Sequence, residues 1–170
     1  AGYGNETLVK GNTHVDISIE GECLPSDTME TKDIPYYKRF VTKQSLLDVI
    51  GGGYNGKVNG VTNVHIGGNT FMRRVFTGGY YAPVKETNLL VTSGDIDEVF
   101  GGGLIGDVYE NTNIQIGWRE EVNFDGNKYS VNDNSKLFIN KNVYGGNDVS
   151  GTVGYKNEQH QAGQGKMDDN

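Results

Sequence analysis

The sequence predicts an all-β fold, a parallel β-helix or β-solenoid with coils of about 25 residues and one longer insertion. Three observations lead there. Segments of the chain align with one another in a fixed register, apolar residues alternate with a strand's period of two, and glycine and asparagine mark the breaks between short apolar runs.

The register is clearest between two copies. Asp48 to Gly68 and Glu98 to Gly117 align without a gap when Thr62 is laid on Thr112. Gly51, Gly52 and Gly53 then fall on Gly101, Gly102 and Gly103, Val58 on Val108, Asn63 on Asn113, and Val64 and Ile66 on Ile114 and Ile116. A degenerate copy between them, Val75 to Gly94, carries Thr87-Asn88 at the marker position, so Thr62, Thr87 and Thr112 stand 25 residues apart. That copy is one residue short, and the deficit is expected before Val84. A further copy opens the chain, with Thr13 as marker, Gly2 and Gly4 on Gly51 and Gly53, Val9 on Val58, and Val15 and Ile17 on Val64 and Ile66. Another starts at Val143, Tyr144, Gly145 and Gly146.

These copies set the expected organisation. Residues 1–155 form the solenoid, with copies near 1–21, 48–68, 75–94, 98–117 and 143–155, diverged or inserted stretches at 22–47 and 119–141, and a polar C-terminal segment at 156–170. The diverged stretch contains Tyr36, Tyr37, Phe40 and Val41, and the insertion carries turn signals at Asp125-Gly126 and Asn132 to Asn134. Helical spacing is hinted at only over Lys43 to Ile50, which runs into three glycines. A β-sandwich is the alternative fold, and it predicts no register between copies.

Each copy reads as short strands separated by glycine corners, where positive φ is expected. Alternation puts Val64 and Ile66 inward and leaves an outward position holding Asp16, His65, Leu90 and Gln115. One such coil cannot bury its own apolar face, but equivalent strands stacked in a parallel ladder can. Asn63, Asn88 and Asn113 would then lie above one another, either as a hydrogen-bonded amide ladder or as turn residues.

Composition limits the function classes. Gly is 26 of 170 residues and Pro only 3, so chain reversal rests on Gly and Asn. Fifteen basic against twenty-two acidic residues give a net charge of −7, which argues against nucleic acid as a partner. Cys23 is alone and cannot form an internal disulfide. No apolar run reaches the length of a membrane span.

The pattern V-[FIY]-G-G-G…G-x-V…T-N-[VI]-x-I-x-G resembles the Gly-rich β-helical repeats of large bacterial surface proteins, including autotransporter-like adhesins and long repeat proteins of gut anaerobes. It covers about two thirds of the chain. The resemblance implies a secreted, right-handed parallel β-helical stalk located extracellularly or at the cell surface. Its partners would be neighbouring coils of a longer chain or other subunits, with surface glycans or host proteins as further candidates. It carries over no catalytic, cofactor or metal residue. The residues it singles out are structural: Gly51, Gly52, Gly53, Thr62, Asn63, Thr87, Asn88, Gly101, Gly102, Gly103, Thr112 and Asn113. Because the first copy lacks its preceding strand, the chain is expected to be an internal piece whose ends meet neighbours.

Two chemistries compete with a purely structural reading. Gly2 to Leu8 and Gly145 to Val149 approach the tandem calcium nonapeptide, although neither is in tandem, so no cofactor is expected and calcium is the alternative. Acidic residues gather at Asp95, Asp97 and Glu98, at Glu120, Glu121 and Asp125, and at Asp168 and Asp169. These would suit a carbohydrate-active or carbohydrate-binding β-helix, while solvated loop charges are the plainer account. His14, His65 and His160 lack ligand spacing and read as surface residues. Tyr36-Tyr37 and Tyr80-Tyr81 read either as corner packing or as exposed rings for sugars or proteins. The favoured function is a structural or adhesive segment of a bacterial surface protein, more readily non-enzymatic than enzymatic; a filament subunit that stacks through open solenoid ends is another alternative.

Overall fold

The computed structural model describes residues 4, 7–19, 45–68, 70–117, 121–129 and 137–154. Tyr36, Tyr37, Phe40 and Val41, the Asn132 to Asn134 turn signal, Cys23, His160 and the segment 156–170 lie outside the described residues.

Twelve strands make up the described part: β1 Leu8–Val9, β2 Thr13–Ile19, β3 Ser45–Ile50, β4 Lys57–Gly68, β5 Phe71–Phe76, β6 Val84–Val91, β7 Gly94–Phe100, β8 Thr112–Ile116, β9 Val122–Phe124, β10 Asn127–Tyr129, β11 Leu137–Ile139 and β12 Val143–Tyr144. No described residue is helical, and Ser45–Ile50, within the one stretch that hinted at helical spacing, is a strand. The expectation of an all-β chain in parallel sheets therefore holds. In the first sheet β1 and β2 both pair with β4, which pairs with β6, which pairs with β8; in the second, β3, β5 and β7 follow one another, and β7 pairs with both β11 and β12. All these pairings are parallel. Among the described residues, strands β2 to β8 alternate between the first sheet and the second, and the hairpin β9–β10 forms a separate two-stranded sheet.

The internal repeat is the pairing register. Thr13 pairs with Thr62, Thr62 with Thr87, and Thr87 with Thr112. Val15, Val64, Leu89 and Ile114 form one inward column, and Ile17, Ile66, Val91 and Ile116 another. A third column of Val9, Val58, Val84, Val108 and Val153 closes a smaller apolar cluster. From the second sheet, Val49, Met72, Val75, Ile96 and Val99 add the other buried side chains of the main core. Phe76 and Phe100 stack at 5.0 Å, and Phe100 and Tyr144 do the same one pass on. The ladder shifts register between Val58 and Val61, so the one-residue deficit of the third copy lies after Val84 rather than before it.

The marker threonines have a specific task. Thr62 and Thr87 are fully buried, and each donates its hydroxyl across its own pass to a glycine-corner carbonyl, Thr62 to Thr77 and Thr87 to Gly101, both at 2.6 Å. Thr13 and Thr112 do the same to Gly51 and Gly145. Apolar side chains cannot satisfy a buried corner carbonyl, so a small β-branched hydroxyl suits this position.

The corner glycines work differently from expectation. Gly51, Gly52, Gly101, Gly102 and Gly103 carry no positive φ; among the described residues the left-handed glycines are Gly68, Gly94, Gly117, Gly126, Gly151 and Gly154. The corners need the absence of a Cβ. At Gly51 it would stand 2.3 Å from the Thr77 carbonyl oxygen, and at Gly103 1.9 Å from that of Gly79. Backbone N–H groups climb these corners directly, from Gly52 to the carbonyl of Gly78, Gly78 to Gly102, and Gly102 to Gly146.

The insertion contains the antiparallel hairpin β9–β10, whose turn is Asp125-Gly126, with φ of 47° and 78°. Positive φ at both central residues is the turn geometry that matches strand twist. After it, Leu137–Ile139 rejoins the second sheet.

Candidate functional site

A gathering of titratable and hydroxyl side chains lies on the outer face of the first sheet. Alternation sends Thr62, Val64 and Ile66 inward and leaves His14, Asn63, Asn88 and Asn113 in one outer row, with Asp16, His65, Leu90 and Gln115 in the next.

In the first row the asparagines form a ladder. The Asn88 amide donates to the Asn63 oxygen at 3.0 Å, and Asn113 donates to Asn88 at 2.8 Å and to a Glu86 carboxylate oxygen at 3.1 Å. Asn63 donates onward to the Thr13 carbonyl at 3.4 Å. Of the two readings of these residues, the amide ladder is the one adopted.

The second row is not solvent-facing. His65 is 3 % exposed and Leu90 is fully buried, correcting the expectation of outward, surface positions. The hairpin covers His65: the Tyr129 ring lies on the imidazole with centroids 3.8 Å apart. Asp16 accepts from His65 Nδ1 at 2.9 Å and from the Tyr129 hydroxyl at 2.9 Å. A neutral imidazole that donates through Nδ1 accepts at Nε2, and the Thr92 hydroxyl stands there at 3.0 Å. His14, also read as a surface residue, is exposed, with its Nδ1 2.8 Å from Asp125 of the turn and its Nε2 3.4 Å from the Tyr129 hydroxyl. Gly67 makes the approach feasible, since a Cβ there would come within 3.0 Å of Thr92 Oγ1 and 3.1 Å of the His65 ring. Burial, then the bond to Asp16 and its charge, push the Tyr129 hydroxyl up to about 12, against a smaller opposing effect of Asn127.

Asp16, His65 and Thr92 follow the order of an acid, base and hydroxyl nucleophile. Their surroundings point to a fastening instead. Thr92 is buried, its oxygen also lies 3.2 Å from the Ile66 carbonyl, and Tyr129 covers the imidazole. A reacting atom must sit about 3 Å from the nucleophile, and Thr92 is only 7 % exposed.

The second sheet carries a charged network. Asp48 receives hydrogen bonds from both Arg73 and Arg74, and Arg74 also meets Asp148 at 3.3 Å. Burial works against the Asp48 charge, but the hydrogen bonds and charges of Arg74 and Arg73 outweigh it and hold the carboxyl below its usual range. The same pairing holds Arg74 above its ordinary value. Asp95 and Asp97 are on strand β7 and buried, correcting the reading of solvated loop charges, and the Asn140 amide bridges them. Glu121 pairs with Lys128 across the hairpin. Glu120, Asp168 and Asp169 lie outside the described residues.

The second calcium-like run is engaged by the protein itself. Asn147 accepts from the Gly103 amide and Asp148 pairs with Arg74. Among the described residues, no three His, Cys, Asp or Glu side chains gather as a metal group. Tyr80 stacks on Tyr54 at 5.0 Å while Tyr81 stands edge-on to both and half in solvent, so this corner combines packing with an exposed ring.

Of the twelve repeat residues singled out in the sequence, the threonines and asparagines stand in continuous columns, while Thr77 separates Gly51 from Gly101 in the corner. Sequence reasoning missed the fastening under the hairpin. One half of it was visible, because Asp16 and His65 share a repeat position; Tyr129, 113 residues from Asp16, carries no periodic signal. Compared with protein-family models, with curated proteins and with solved structures, the chain matches none.

Proposed function

We propose that this chain is a parallel β-solenoid that serves as a structural and adhesive segment of an extracellular bacterial surface protein. The observation that carries the reading is the common register of the first sheet: Thr13, Thr62, Thr87 and Thr112 pair in line, and each bonds to the corner of its own pass. A fold whose passes repeat one environment is extended by adding passes, as a stalk requires. The fastening at His65 fits the same role, since it ties an insertion down.

Two measurements test it. Deleting one period, residues 62–86, joins Val61 to Thr87 in register, so a solenoid keeps a cooperative thermal transition at a lower Tm; loss of any cooperative transition overturns the solenoid. Arrays of glycans and extracellular matrix proteins probed with the chain should show retention without chemical change. New reducing ends released from a polysaccharide would move the assignment to a carbohydrate-active β-helix.

A further inference from the structure

We propose that a row of exposed side chains along the flank of the stack, Tyr81, Ile105 and Val149, binds a neutral, extended polysaccharide. The inference rests on the adhesive reading and gives it a site and a class of ligand.

Backbone register at the tyrosine corner sets the row. Tyr81 N–H donates to the Tyr54 carbonyl, Ile105 N–H to that of Tyr80, and Val149 N–H to that of Leu104. In a parallel ladder an N–H that bonds to one residue's carbonyl places its own residue beside the next residue along. Asn55, Tyr81, Ile105 and Val149 therefore stand in line across neighbouring passes. Tyr81 is 44 % exposed, Ile105 38 % and Val149 66 %. Among the described residues the other exposed large hydrophobics, Leu8, Phe138, Val143 and Tyr144, sit on β1, β11 and β12. Tyr81 and Ile105 differ from those, because each has a described neighbour on either side in the row and so faces out from the flank rather than from an edge strand.

The ring at the head of the apolar row is held in place. Tyr81 stands edge-on to Tyr54 at 5.1 Å and to Tyr80 at 4.7 Å, and those two rings stack on each other at 5.0 Å. Tyr80 meets Phe76 of the buried aromatic cluster edge-on in turn. A side chain already ordered by its neighbours loses little freedom when a ligand lies against it.

Three properties select the occupant. The N–H groups of the row are bonded within the stack, so a peptide cannot add here as a strand, and contact must be made through side chains. Three partly exposed side chains fall short of the ~800 Å² that each partner of a stable protein interface buries. The row itself carries no charge, Asp148 beside it is paired with Arg74, and the chain as a whole carries −7, which disfavours acidic polysaccharides and anionic membrane surfaces. A sugar ring with equatorial hydroxyls offers a flat C–H face to an aromatic or aliphatic side chain while its hydroxyls stay in water at the rim. A straight chain of such rings can follow the row from one pass to the next.

Native electrophoresis of the 170-residue chain through gels containing hydroxyethyl cellulose or glucomannan, both neutral and extended, tests the site. Migration should slow as the content of at least one of these polymers rises, while polygalacturonate, an acidic polymer, should retard the chain far less. Tyr81→Ala should weaken the retardation about tenfold or more, and Tyr81→Phe, which keeps the ring, should stay within about threefold of wild type. Val149→Asp leaves the tyrosine corner intact and should weaken it several-fold at an unchanged Tm. A wild-type chain retarded by neither neutral polymer overturns the proposal, and so does retardation that both Tyr81→Ala and Val149→Asp leave unchanged. Equal retardation by polygalacturonate overturns it too, because the ligand would then not be selected for neutrality. Retention on extracellular matrix proteins without retardation by either neutral polymer would keep the adhesive reading and remove only this ligand.

Discussion

Two residue types carry the repeat, and each can be tested singly. The glycine corners are crowded by backbone, so their tolerance should follow what a Cβ would strike. At Gly103 it meets the Gly79 carbonyl, which is backbone; at Gly102 it meets the Asn147 side-chain oxygen, which can turn away at the cost of its bond from the Gly103 amide. Gly103→Ala should therefore lower stability in urea more than Gly102→Ala, by about 2 kcal/mol or more against about 1. Asn88 stands in the middle of the amide ladder, donating to Asn63 and accepting from Asn113. Asn88→Ala leaves the buried Asn63 without its donor, and denaturant titration should register a loss of about 1 to 3 kcal/mol. Asn113→Ala, at the exposed end of the row, should cost less.

Among the elements, the hairpin β9–β10 is the one whose place is fixed by side-chain chemistry rather than by ladder pairing. It holds to β2 through His14–Asp125 and Tyr129–Asp16, and to β4 through the Tyr129 ring on His65. The Tyr129 hydroxyl is raised above its ordinary value of 10.0 to about 12. A group whose folded value is raised contributes stability that is complete below the unfolded value and lost as pH climbs through the folded one. Hairpin docking should therefore hold up to pH 10 and fail between pH 10 and about 12, with tyrosinate absorbance and exchange at 121–129 changing together. In Tyr129→Phe, which lacks both the ionising group and the bond to Asp16, that alkaline step should vanish and His65 should exchange faster at neutral pH. No alkaline step in the wild type would mean that the fastening does not depend on Tyr129.

For the whole molecule, the proposed solenoid, in which each pass touches only its neighbours, should open from its edges. The middle passes, β4 to β7, hold the fully buried side chains Val64, Ile66, Met72, Val75 and Ile96, while the outer passes contribute the partly buried ones. Native-state hydrogen exchange should find the highest protection in 62–66, 71–76 and 95–100. Protection should be lower in 112–116 and 143–144, with β2 in between because the hairpin clamps it. Uniform protection along the columns would argue against stepwise opening.

The columns of threonine, asparagine, valine and isoleucine were legible in the sequence, because a parallel stack gives a residue the same neighbours every 25 positions and so repeats the same chemistry at Thr62, Thr87 and Thr112. The turn at Asp125-Gly126 was legible for a local reason, as a pair that tolerates positive φ. The burial of His65, Leu90, Asp95 and Asp97 was not, since alternation assigns a face but not what covers it. Nor could periodicity tell that the corner glycines are selected for close backbone approach rather than for a left-handed φ. Only the tertiary structure decided those points, because a contact such as Tyr129 with Asp16 joins positions 113 residues apart that no repeat relates.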